Sequence, residues 1–75
     1  MEYTQAAAAN IRAEMARQRI SGRELARRLD MNPTSLARRV AGDVDISLDE
    51  LAHIADALRV TVAALLPTPT EKASA

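Results

Sequence analysis

The sequence predicts an all-α fold of five short helices, and three observations carry that reading. Alanine-rich segments poor in β-branched residues favour helix. Ser, Thr or Asn stands wherever a helix start is needed, twice followed three residues on by Glu. Apolar residues recur at helical spacing, most clearly Leu48, Leu51, Ile54, Ala55 and Leu58.

The elements follow in order. Residues 4–18 read as the first helix, with Thr4 as its cap and Ile11 and Met15 on one face. Ser21-Gly22-Arg23-Glu24 is a capping-box pattern. It opens a second helix over residues 22–29 that buries Leu25, Ala26 and Leu29. Asp30 and Met31 form a tight turn, and Asn32-Pro33 starts a third helix that Gly42 ends. After a loop, Ser47-Leu48-Asp49-Glu50 is a second capping-box pattern, and the fourth helix runs to Leu58. Thr61 caps a short fifth helix over residues 62–66, and Pro67 and Pro69 stop it. Residues 1–66 are thus expected to form one domain and residues 67–75 a disordered polar tail.

Size and composition narrow the classes. Seventy-five residues make a single small domain, with no cysteine for a disulfide or a Cys-based zinc site. Tyr3 is the only aromatic residue, so the core is built from Leu, Ile, Val, Met and Ala. No segment approaches the roughly 20 apolar residues that span a bilayer, and no signal-peptide pattern is present, so a cytoplasmic location is expected. There is no Gly-rich phosphate loop, Cys nucleophile or metal-ligand spacing; His53 stands alone. The acids Asp43, Asp45, Asp49 and Glu50 do not form an EF-hand loop, because Leu48 and Ile54 fall where Gly and Glu are needed. No enzyme activity, cofactor, metal or small-molecule ligand is expected. The formal net charge is zero but divides unevenly. Residues 1–42 hold eight arginines against four acids, whereas residues 43–75 hold Arg59 and Lys72 against six acids. Such asymmetry suggests one face that meets a polyanion.

Two short helices joined by a turn of about three residues make a helix-turn-helix over residues 21–42. Ala26 falls where the two helices cross, Leu25, Leu29, Met31 and Leu36 share a core, and Asp30 takes the turn position where positive φ is usual. On these residues, with Ser47-Leu48-Asp49-Glu50-Leu51-Ala52 and residues 54–60, the chain resembles the XRE-type (Cro/repressor-like) domains over residues 11–66. The resemblance implies a compact five-helix, repressor-like DNA-binding domain with the helix-turn-helix at helices two and three. It implies a sequence-specific transcriptional regulator, most simply a repressor of phage or prokaryotic type.

Four departures from the family pattern stand out. Gly22 replaces the usual Gln, Asp30 the usual turn Gly, and Arg39 an apolar residue. Met15 and Val40 replace an Arg–Glu pair that often links helices one and three. Loss of both partners to apolar residues can be neutral or stabilising, so Met15 and Val40 are expected to touch.

The resemblance places the third helix in the major groove of double-stranded DNA. Asn32, Thr34, Ser35 and Arg38 are the expected base readers, with Arg38 suited to the O6 and N7 of guanine. Ser21, the Gly22 and Arg23 amides, and the Arg23, Arg28 and Arg39 side chains are the expected phosphate contacts. A palindromic operator and a homodimer, formed mainly on DNA, are expected, with Val62, Leu65 and Leu66 at the dimer interface. The alternative is an antitoxin or protein-interaction module that keeps the fold and relies on a protein partner through its acidic C-terminal half.

Asp43 and Asp45 follow the third helix, where relatives often carry basic residues, and they repel phosphate. Weak affinity for arbitrary DNA and a shallow salt dependence are therefore expected, each neutralised phosphate adding about −0.9 to the log–log slope. A titration across salt concentrations checks this, and a slope steeper than that of a strongly basic relative overturns it.

Overall fold

The computed structural model describes residues 2–66. They form α1 (Glu2–Gln18), α2 (Gly22–Leu29), α3 (Pro33–Val40), α4 (Leu48–Leu58) and α5 (Val62–Leu65), with no strand among them. The expected disordered tail lies outside the described residues. The second and fourth helices have the bounds that their caps and periodicity imply. The fifth is one residue shorter, because Leu66 is already extended.

α2 packs against α3 and α4, α4 against α5, and α1 lies across α3 and α5. Their shared core holds Ala7 and Ile11 of α1, Leu25 and Ala26 of α2, and Leu36 of α3. Ile46 of the loop, Leu51, Ile54, Ala55 and Leu58 of α4, and Leu65 of α5 complete it. Each fully buried Leu or Ile contributes about 1.5–3 kcal/mol of transfer free energy. α1 buries Thr4, Ala7, Ala8 and Ile11, a stripe at helical spacing whose small side chains let its backbone approach the other helices closely. Met15 and Val40 are both half-buried and pack against this core.

Three expectations need correction. Thr4 does not cap α1, which begins at Glu2; Thr4 is buried in the helix and its hydroxyl donates to Asp45 Oδ1 at 3.0 Å. Leu48 does not join the buried face of α4 but is 65 % exposed, because Ile46 fills the core at this end of the helix. Leu65, expected at a dimer interface, is 1 % exposed and belongs to the monomer core, so it offers no surface to a partner.

Four successive helices end in the same way. In each, the chain turns left-handed for one residue: Arg19 (φ 57), Asp30 (φ 55), Gly42 (φ 87) and Arg59 (φ 61). In each, two amides bond back to the last turn. The Ile20 amide donates to Met15 O, Met31 to Ala26 O, Asp43 to Arg38 O and Val60 to Ala55 O, at 2.9–3.0 Å. These are Schellman motifs, and Ile20, Met31 and Val60 supply the apolar contact that usually accompanies them. Only one of the four left-handed positions is glycine. At Gly42 an added Cβ would lie 3.0 Å from the Gln5 side chain as well as in a strained conformation.

Opposite effects are therefore expected at two of these turns. Gly42→Ala should destabilise by about 1–2 kcal/mol, whereas Arg59→Gly should stabilise by up to about 1 kcal/mol, because it removes the steric cost of a left-handed Cβ. Urea unfolding of both variants checks this, and equal midpoints overturn it.

Candidate nucleic-acid interface

α2 and α3 owe their mutual angle to the three residues between them. Asp30 turns the chain left-handed, Met31 returns its amide to α2, and Asn32 begins α3. Asn32 Oδ1 accepts from the Thr34 amide at 2.8 Å and the Ser35 amide at 3.2 Å, and Pro33 preorganises the first turn. The cap occupies the Asn32 carbonyl oxygen, so its Nδ2 donors are what it can offer a ligand.

α3 exposes Thr34, Ala37, Arg38 and Ala41 on one face and buries Leu36 on the other. Ser35 and Arg39 are half-buried at the border. The start of α2 is exposed as well. Ser21 Oγ accepts from the Glu24 amide at 3.0 Å, which leaves the exposed Gly22 and Arg23 amides without an intramolecular acceptor. The positive end of the helix dipole and two free N–H groups suit an anion there.

The arginines are sorted by what holds them. Among the described residues Arg19, Arg23, Arg38 and Arg59 make no side-chain hydrogen bond or ion pair with one another's helices or their own. The rest are engaged. Arg17 pairs with Glu14, and Arg12 donates to Val40 O at 2.7 Å. Arg27 and Arg28 share the Glu24 carboxylate at 2.6 and 3.0 Å. Of the three arginine side chains expected at phosphates, only Arg23 is unengaged. Arg28 also donates to Ala57 O at 3.1 Å, bridging α2 to the end of α4. Arg39 reaches Glu50 Oε2 at 3.2 Å and Ser35 O at 3.0 Å.

The two Ser-x-x-Glu boxes differ. At α4 the box closes: Ser47 Oγ accepts from the Glu50 amide and Glu50 Oε1 accepts from the Ser47 amide. At α2 it closes only halfway, because Arg27 and Arg28, one turn on, take the Glu24 carboxylate instead. The Arg27 hydrogen bond, then that of Arg28, holds the Glu24 carboxyl below its ordinary value. The Ser47 amide does most to lower that of Glu50, with help from Arg39.

No group of three His, Cys, Asp or Glu side chains converges as a metal site among the described residues. No helix among them is long and apolar enough to cross a membrane. Sequence spacing gave no sign of the links from Arg28 to Ala57, Arg39 to Glu50 or Arg12 to Val40, since each joins different helices.

A capped two-helix unit with an exposed second helix defines a helix-turn-helix protein. The family model of the Cro/C1-type helix-turn-helix DNA-binding domain matches residues 10–71, and the chain belongs to that family. It is a DNA-binding transcriptional regulator. Among solved structures it is similar to a hypothetical transcription factor, NHTF, from Neisseria. That match has a TM-score of 0.82 and 26 % identity, over 96 % of this chain and 83 % of that one. It is also similar to the clp gene regulator ClgR from Corynebacterium glutamicum, with a TM-score of 0.78 and 29 % identity, over 83 % of this chain and 66 % of that one. No curated protein sequence matches it.

Both carboxylates have folded values below the ordinary 4.5. Their contribution to stability is thus complete above that value and lost as pH falls through the lowered one. Glu50→Gln should therefore be less stable than wild type at pH 7 and converge with it as pH falls below the ordinary carboxylate value and through the lowered one. Chemical denaturation across this range checks the convergence, and a gap independent of pH overturns it.

Proposed function

We propose that the chain regulates transcription by seating α3 in the major groove of a specific DNA operator. Thr34, Ser35, Arg38 and the Nδ2 group of Asn32 face the base edges. Ser21, the Gly22 and Arg23 amides and the Arg23 guanidinium hold the adjacent phosphates. The observation that carries this reading is the unengaged Arg38, exposed one turn along α3 from the exposed Thr34.

A guanidinium with no intramolecular partner needs no ion pair broken before it grips guanine O6 and N7. Arg28 and Arg39 do, so they are the weaker phosphate candidates of the original set. Seated in the groove, the domain would act most simply as a cytoplasmic repressor that occludes a promoter. One helix-turn-helix reads a half-site, so we assign it a palindromic operator and a homodimer assembled on DNA. With Leu65 in the core, the half-buried Val62 and Leu66 are the remaining interface candidates.

Selection of bound duplexes from random DNA should return a motif with two half-sites about one helical turn apart. Arg38→Ala should then lose about 1–3 kcal/mol of discrimination at one base pair of each half-site. Return of no motif overturns the reading in favour of a protein partner. A motif whose preferences survive Arg38→Ala overturns the assigned role of Arg38.

A further inference from the structure

Arg39 stands where an apolar residue would be expected at the border of α3, and its surroundings explain what the guanidinium does there. Its side chain is 22 % exposed, the least of any paired arginine in the domain. With Leu29, Met31, Ile54, His53 and Glu50 it lines a pocket of about 200 Å³. Two of its donors meet fixed acceptors. Nε meets Glu50 Oε2 at 3.2 Å, and Nη1 meets Ser35 O at 3.0 Å. The other Glu50 oxygen holds the Ser47 amide at 3.0 Å, so the carboxylate is locked to the start of α4 before Arg39 reaches it.

We propose that Arg39 is a positioning residue for DNA recognition, held by Glu50, which braces the first turn of α3 against the start of α4 and keeps its own charge off the DNA. Ser35, whose carbonyl it grips, follows Thr34 in the reading turn, so the brace fixes the depth and roll at which that turn is presented. Arg39 cannot serve a phosphate without leaving its partner. The pair also limits affinity for arbitrary sequence, because a cation bound to Glu50 releases no counterion from DNA. The DNA-facing half of this inference rests on the function proposed above.

The test uses the full chain as wild type, Glu50→Gln, Arg39→Met and the double variant. Each is titrated with the selected duplex and with a random-sequence duplex across salt concentrations. Glu50→Gln releases Arg39. It should bind the random duplex about fivefold to tenfold more tightly at 0.1 M salt, with a log–log slope steeper by about 0.9. Arg39→Met should keep the wild-type slope but lose several-fold preference for the selected duplex. The double variant should match Arg39→Met, which separates release of Arg39 from the mere loss of a negative charge. A slope reduced by about 0.9 in Arg39→Met would place Arg39 on a phosphate and overturn the proposal, as would an unchanged slope in Glu50→Gln.

The brace is also measured without DNA. Amides of residues 36–40 should exchange with solvent faster in Arg39→Met, whose α4 cap is intact, and in Glu50→Gln. Equal exchange in all forms overturns the brace. If the wild type binds no duplex, the DNA-facing half fails together with the proposed function, while exchange still decides the brace.

Discussion

The fold depends on one helix that satisfies the ends of three others. The last carbonyls of a helix have no partner within it, and their partial negative charge must be met by a donor. α1 supplies those donors in order along its length. Gln5 donates to Gly42 O and Arg12 to Val40 O at the end of α3. Asn10 donates to Leu65 O at the end of α5, and Gln18 to Leu58 O at the end of α4. The stripe of Thr4, Ala7, Ala8 and Ile11 brings the α1 backbone close enough for these side chains to reach. The orientation of α3 is thus set by α1 on one side and by the Arg39–Glu50 link to α4 on another.

Features set by neighbouring residues were legible in the sequence. Ser21, Asn32, Ser47 and Thr61 cap the helices they were expected to cap, and Asp30 accepts the left-handed turn, because those interactions reach only two or three residues. Features set by competition across helices were not. The two Ser-x-x-Glu patterns read alike, yet the first is opened by Arg27 and Arg28 and the second is reinforced by Arg39. Leu48 has the angular position of a core residue but sits at the end of α4 that Ile46 already closes. At the candidate interface, the exposed face of α3 was legible from periodicity, whereas the partners that occupy Arg28 and Arg39 were not, since no spacing rule connects them to Ala57 and Glu50.

A formally neutral chain keeps unpaired arginines on its helix-turn-helix through the distribution of its carboxylates. Glu14, Glu24 and Glu50 take up Arg17, Arg27, Arg28 and Arg39. The cations left over on that unit, Arg23 and Arg38, are those beside the open start of α2 and on the exposed face of α3. Exposed ion pairs of this kind add little stability, at most about 1 kcal/mol each. Their larger effect is to decide which arginines can answer to an outside anion.

Asn32 carries two duties in the function proposed above, since its side-chain oxygen starts α3 while its amide group, on an exposed residue, is left for a ligand. Replacing it alters the helix start and the ligand contact together, at a cost of about 1 kcal/mol for the lost cap alone. Thr34 and Arg38 bear no such structural duty. Divergence in the DNA sequence recognised should therefore accumulate at positions 34 and 38 among descendants of this chain, with position 32 drifting only among residues that can still begin a helix.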